Sequence, residues 1–282
     1  MSWKSLFFVP ANRPDLINKL DRVSADNIVV DLEDGTPMTE KKSARAALAD
    51  SVGIIARKKI AGRLLVRING RAMPFAEDDI NAALVCGVDG ILLPKIESAD
   101  DLQWFDAHIS AAPKTILVGG VESSAGVLDL REVTRRPSML RAIYFGPEDL
   151  AADAGIHRSE DSLEVLYARQ HVVLAAKAAG IAAIDQAVLN VHDIEAFARD
   201  CERGRDWGYD GKICLNPKQA CTAMEMFRPT DAALDRARRL LATFAEAEAI
   251  GHGVTMFEGG MIDEPMVKRA RALLSDDVGL YR

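Results

Sequence analysis

The chain has 282 residues, 49% of them hydrophobic and 27% charged, and carries a net charge of −7. That composition belongs to a globular protein able to bury a sizeable core, and excludes a disordered or collagen-like chain. The acidic balance and the lack of any basic run or aromatic-basic interleaving argue against a nucleic-acid surface.

The apolar runs follow one another in a regular order. Residues 6–9 form the first, with Asn12 and Arg13 behind it, and residues 14–23 then show helical spacing. The second run, 28–32, is closed by Glu33 and Asp34 and leads into a predicted helix over 39–51. The third, 64–68, holds Arg67 just inside its end and Asn69 just beyond. Residues 91–93 lead to Lys95 and a predicted helix over 98–109; residues 116–121 end on Glu122. Residues 142–145 precede Asp149, and a predicted helix over 163–179 stops at Gly180, a glycine suited to a left-handed C-cap. The last two runs are 182–184, closed by Asp185, and 213–215, closed by Asn216, with a predicted helix over 194–207 between them.

Eight strands alternating with helices, several of them continuously apolar, predict a parallel sheet covered by helices. An open doubly wound sheet would need a glycine-rich nucleotide loop after its first strand, and Val9-Pro10-Ala11-Asn12 stands there instead. The expected fold is therefore α/β, a TIM (β/α)8 barrel over residues 1–227, with a C-terminal helical extension and lid over 228–282 packing on a neighbouring subunit. Past Met226 the pattern gives a helix over 231–250, a glycine-rich stretch over 251–260 and a second helix opening near Pro265, with no ninth strand required. The segment Gly259-Gly260-Met261-Ile262-Asp263 has the glycines and acidic tip of a lid.

Charged residues interrupt the N-terminal region at Lys4, Arg13 and Asp15, so neither a signal peptide nor a membrane span is expected. The four cysteines, Cys86, Cys201, Cys214 and Cys221, lack CxxC spacing, as in a reduced cytoplasmic chain.

In a parallel barrel all strands open on one face, so the residues behind the eight runs are expected to meet around one pocket. Glu122 and Asp149 come from adjacent strands, and two carboxylates that leave positions for water and substrate suit Mg²⁺. The alternative pairs Glu122 with an arginine and has Asp149 cap a helix starting near Leu150. Arg67 is costly to bury without an anion; it can fork onto a substrate carboxylate or a developing enolate, or else pair with Glu33 or Glu122.

The motifs Phe8-Val9-Pro10-Ala11-Asn12-Arg13, Asp31-Leu32-Glu33-Asp34-Gly35, Val66-Arg67-Ile68-Asn69, Leu93-Pro94-Lys95, Val121-Glu122-Ser123, Phe145-Gly146-Pro147-Glu148-Asp149-Leu150 and Gly260-Met261-Ile262-Asp263 lie in order along nearly the whole chain. Together they resemble the citrate lyase β-subunit (CitE-like) branch of the HpcH/HpaI aldolase family. The resemblance implies a Mg²⁺-dependent carbon-carbon lyase, usually a homotrimer, acting on 3-hydroxyacyl thioesters of coenzyme A. In the citrate lyase complex the carrier is an acyl carrier protein held with other lyase subunits. By the same resemblance Glu122 and Asp149 hold the metal, Glu33 and Asp34 bind its waters and the reacting hydroxyl, and Arg67 steadies the enolate or oxo-acid oxygen. Backbone amides over Gly146, Pro147, Glu148 and Asp149 receive the substrate carboxylate, Asn12 and Arg13 lie where the carrier's arm enters, and Asp263 is an acid/base from a neighbouring subunit.

Two motifs depart from the commonest stand-alone form, and a third agrees with it. Leu215-Asn216-Pro217 resembles complex-bound β-subunits, Gly146-Pro147-Glu148-Asp149 resembles stand-alone acyl-CoA lyases, and Asp185-Gln186-Ala187 alters the expected pocket wall. The leading expectation is a lyase on a malyl-, citramalyl- or citryl-CoA thioester. The alternatives are a carrier-protein-dependent subunit, an acyl-CoA thioesterase, a metal-dependent pyruvate aldolase, and an inactive assembly subunit. The aldolase would need a histidine near the second strand, and none occurs between residues 31 and 60.

Overall fold

A computed structural model describes residues 1–58, 62–110, 112, 114–135 and 139–277. Eight parallel strands close into a barrel in chain order: β1 (Ser5–Pro10), β2 (Asn27–Asp31), β3 (Arg63–Arg67), β4 (Gly90–Leu93), β5 (Ile116–Val121), β6 (Leu140–Phe145), β7 (Ala182–Asp185) and β8 (Gly211–Cys214). The ring is sealed by β1 pairing with β8, Leu6 opposite Ile213. The (β/α)8 expectation therefore holds.

Around the barrel run α1 (Pro14–Ile17), α2 (Lys41–Ala46), α3 (Leu48–Arg57), α4 (Ala76–Val85), α5 (Ala99–His108), α6 (Ser124–Arg135), α7 (Pro147–Ala154), α8 (Leu166–Ala179), α9 (Ile194–Trp207) and α10 (Pro217–Met226). Local chemistry sets several of their ends. Ser98 and Asp101 close a reciprocal capping box on α5, and Gly180 ends α8 at φ 70°, the left-handed conformation that only glycine adopts without strain. Two predicted helices break up. Residues 14–23 give α1 and a separate 3₁₀ turn, Leu20–Arg22, while 39–51 give a 3₁₀ turn, α2 and the start of α3. Short 3₁₀ turns share the side-chain spacing of helix ends, so periodicity alone does not separate them.

Side-chain alternation along the strands divides the barrel's apolar residues in two. One set, including Leu6, Val29, Leu65, Leu92, Val118, Tyr144 and Ile184, packs together as one cluster with Trp3 and Phe8. The other, including Val30, Val66, Ile91, Leu117, Ile143 and Ala183, packs with helix residues such as Ile80, Phe105, Leu130, Val172 and Phe197. Period-two geometry makes the first set the barrel lumen and the second the seam beneath the helices.

The chain divides into two compact units, Trp3–Phe227 and a second from Arg228 onward that includes Met1–Ser2. The second unit consists of α11 (Asp231–Ala249), an antiparallel pair β9 (Thr255–Phe257) and β10 (Gly260–Ile262), and α12 (Glu264–Asp277). Leu240, Phe244, Phe257, Ile262 and Val267 form its core. The glycine-rich stretch, expected to need no further strand, thus forms a hairpin. Glu258 and Gly259 both take positive φ, 48° and 81°, as a two-residue hairpin turn requires, and Met256 pairs with Met261.

Candidate active site

The carboxyl ends of β2 to β6 bring together a dense set of charges. Asp31, the last residue of β2, grips Arg67, the last of β3, through two parallel bonds of 2.7 Å from Nε and Nη2. The remaining guanidinium nitrogen lies 2.8 Å from Glu33 Oε2 and 3.7 Å from Asp34. Burial works against the Arg67 charge, but Asp31 outweighs it and holds the pKa above its ordinary value. The guanidinium also stands 5.0 Å above the ring of Phe8, a lumen residue, so Arg67 sits at the top of the barrel interior.

Lys95 follows β4 by two residues and has a left-handed φ of 53°, uncommon for a residue with a Cβ and worth noting at a barrel mouth. Its ammonium bridges Glu33 at 3.0 Å and Asp149 at 3.2 Å. Asp149 lies in the first turn of α7, which begins at Pro147 and not near Leu150. Burial raises the Glu33 pKa against the opposing pull of Arg67 and Lys95.

Glu122 is different. It is 2% exposed, and among the described residues neither of its carboxylate oxygens has a hydrogen-bond partner. Burial, with a contribution from the Glu33 charge, pushes its pKa up to about 8, while Tyr144 and Arg67 pull the other way. A Cβ on Gly146 would strike Glu122 Cγ at 2.6 Å, so this carboxylate fits only beside a bare backbone. An unpartnered buried carboxylate with a second carboxylate, Asp149, across Lys95 is the donor set of a hard divalent cation. Among the described residues no group of three or more His, Cys, Asp or Glu forms a metal cage.

Other expected mouth residues turn elsewhere. Asn69 donates to Asp79 on α4 and to the Leu32 carbonyl, and Asn216 caps α10 by accepting from Gln219. Asp185 is buried against Arg169 on α8 and Lys212 on β8, at 2.8 Å from each, and packs on Gly204 of α9. These three belong to the barrel-helix seam. Strand alternation puts Asp185 on that side with Ala183, while Asn69 and Asn216 lie past their strand ends and are turned by their hydrogen bonds to α4 and α10.

Asn12 and Arg13 lie after β1, where Asn12 donates to Glu40 at 2.7 Å and Arg13 pairs with Asp15. Glu148 pairs with Arg158 at 3.1 Å. The amide of Gly146 is already bonded to the Val121 carbonyl and Pro147 has none, so the expected row of anion-binding amides narrows to Glu148 and Asp149 in the first turn of α7. Asp263 belongs to the second unit, where its carbonyl accepts the first amides of α12 from Met266 and Val267. Sequence reasoning passed over Asp31 and Tyr144. Asp31 is a charged residue inside the apolar run 28–32, a signal that was present; Tyr144 lies inside a run as one more aromatic and carried none.

A closed (β/α)8 barrel with a partly buried Arg-carboxylate-Lys cluster at the carboxyl ends of its strands has the architecture of a barrel enzyme. The HpcH/HpaI aldolase/citrate lyase family model matches residues 4–217, and the chain belongs to that family. It is 42% identical over 280 residues to the citrate lyase subunit beta-like protein of Deinococcus radiodurans, covering 97% of both chains. It is 31% identical to the mitochondrial citramalyl-CoA lyase of Homo sapiens, covering 95% of this chain and 83% of that one. Its fold matches the crystal structure of CitE from Mycobacterium tuberculosis in complex with magnesium, acetoacetate and coenzyme A, with a TM-score of 0.79, 27% identity and 97% of both chains covered. Among the described residues no helix is long and apolar enough to cross a membrane.

Proposed function

We propose that the protein is a Mg²⁺-dependent carbon-carbon lyase that cleaves a 3-hydroxyacyl-CoA of the malyl, citramalyl or citryl type into an acyl-CoA and an oxo acid. The observation that carries this reading is the buried, unpartnered Glu122 carboxylate among Glu33, Arg67, Lys95 and Asp149. The relatives' substrates and the CitE complex with magnesium and coenzyme A support it.

Glu122 and Asp149 hold Mg²⁺. When bound, it supplies Lewis-acid polarisation of the substrate's oxygens. Glu33, its pKa raised by burial, accepts the proton of the substrate's 3-hydroxyl, with Asp34 beside it at the exposed rim. The C2–C3 bond then breaks: the former hydroxyl carbon becomes the oxo acid's carbonyl, and the electron pair moves onto the thioester as its enolate. Arg67 faces that developing negative charge, held in place by Asp31 before the reaction begins. First-turn amides at Glu148 and Asp149, and Lys95, receive carboxylate oxygen; Asn12 and Arg13 meet the carrier's arm. Asp263 from a neighbouring copy in a homotrimer returns a proton to C2 of the enolate, completing the acyl-CoA.

The same chemistry would serve an acyl-carrier-protein thioester in a larger lyase assembly, and a reduced cytoplasmic compartment suits it. The deciding experiment presents purified protein and Mg²⁺ with a panel of 3-hydroxyacyl-CoAs, following oxo acid and free thiol together. Oxo acid formed without free thiol is lysis. Free thiol without oxo acid is hydrolysis, and would replace the lyase by a thioesterase.

A further inference from the structure

Tyr144 is buried in the barrel lumen in one apolar cluster with Val29, Leu65, Leu92, Val118, Ile184 and Trp3, where a phenylalanine would fill the same space without a polar atom. Its hydroxyl and both Glu122 oxygens lack a hydrogen bond of strict geometry among the described residues, although the phenol and the carboxylate lie close enough to act on each other. The two groups meet over one missing side chain. Tyr144 lies opposite Gly120 in the β5–β6 register, and a Cβ on Gly120 would fall 2.5 Å from the Tyr144 hydroxyl while also colliding with Glu122 Oε1. Gly120 thus keeps open a gap across which a phenol and a carboxylate face each other, both desolvated and both unsatisfied.

A buried hydroxyl without a partner is unfavourable, and so is a buried carboxylate. One bond relieves both. Rotation of the O–H about the phenol and a small turn of the carboxylate form an O–H···O⁻ bond, the short, charge-assisted kind. We propose that Tyr144 is a positioning residue for Glu122, donating its hydroxyl to one carboxylate oxygen from beneath so that the other is presented to the cation. Tyr144 acts only through Glu122 and touches neither cation nor substrate. The inference rests on the metal assignment made under Proposed function.

The test titrates Mg²⁺ calorimetrically into the full-length wild type, Tyr144→Phe and Glu122→Gln, with thermal unfolding of each metal-free protein alongside. The Tyr144→Phe variant is expected to bind Mg²⁺ roughly ten- to a hundredfold more weakly, as when a group that orients a metal ligand is lost. Its metal-free form should stay folded with a modestly lower melting temperature, because Glu122 has lost its donor. In the wild type, Mg²⁺ should also perturb the tyrosine ultraviolet difference spectrum, and this signal should vanish in Tyr144→Phe. Mg²⁺ affinity of Tyr144→Phe within about twofold of wild type overturns the inference, as does a wild-type difference spectrum that Mg²⁺ leaves unchanged; with Glu122→Gln still unable to bind, the metal assignment survives. Glu122→Gln binding Mg²⁺ as well as wild type overturns both.

Discussion

Asp31 and Arg67 end neighbouring strands, and the carboxylate takes the guanidinium in a two-pronged grip of 2.7 Å per bond. This fixes the plane of the fork and leaves one edge, at Nη1, toward Glu33 and the mouth. Arg67 needs both its charge and its planarity here. Arg67→Lys is therefore expected to cost turnover about 2 to 4 kcal/mol of barrier, the scale of one lost oxyanion donor. Steady-state kinetics on the identified thioester checks this. Unchanged turnover with only a raised KM would reassign Arg67 to docking.

Glu122 gives the metal-free protein a pH signature. Its folded pKa of about 8 lies above the ordinary 4.5, so the folded chain keeps a proton that the unfolded chain releases. Stability of the metal-free protein should fall as pH rises from 4.5 towards about 8 and level off beyond. Denaturant titrations across that window should show this slope in wild type and a clearly shallower one in Glu122→Gln, where Glu33, also raised by burial, still contributes. An equal slope in both proteins would place the effect elsewhere.

Acid should act on a different cluster. Burial disfavours the charge on Asp200, but Lys212 at 2.6 Å and Arg169 at 3.0 Å outweigh that and hold its pKa at about 2, below the ordinary 3.8. The stabilisation is present above 3.8 and lost as pH falls towards about 2. By linkage it amounts to about 2 kcal/mol. Asp200→Asn should lose at least that near neutrality, with the gap to wild type closing in acid. A gap independent of pH would show that packing, not charge, was lost.

Asp263 is expected to complete a neighbouring copy's site. Asp263→Asn and Glu122→Gln proteins, each inactive alone, should regain part of wild-type turnover when mixed under conditions of verified subunit exchange, because some sites then unite intact Glu122 with intact Asp263. Background activity in exchanged mixtures would confine Asp263 to capping α12, whose first amides its carbonyl already accepts.

The order of eight strands and their helices was legible because each apolar run is the length of a buried strand and each intervening segment keeps helical spacing. Residues 116–121 and 194–207 have the observed bounds of β5 and α9. Glu33, Arg67, Lys95, Glu122 and Asp149 were legible as mouth residues because a parallel barrel sends every strand's end to one face. Tertiary structure alone decided which way each end residue turned. In a strand buried on both faces, sequence does not reveal whether a side chain enters the lumen or the helix seam, so Asp185 looked like Glu122 and proved to be a seam residue. It also decided the partners. Asp31 instead of Glu122 grips Arg67, and Tyr144 faces Glu122 across the bare backbone of Gly120, because adjacent strands set residues distant in sequence side by side.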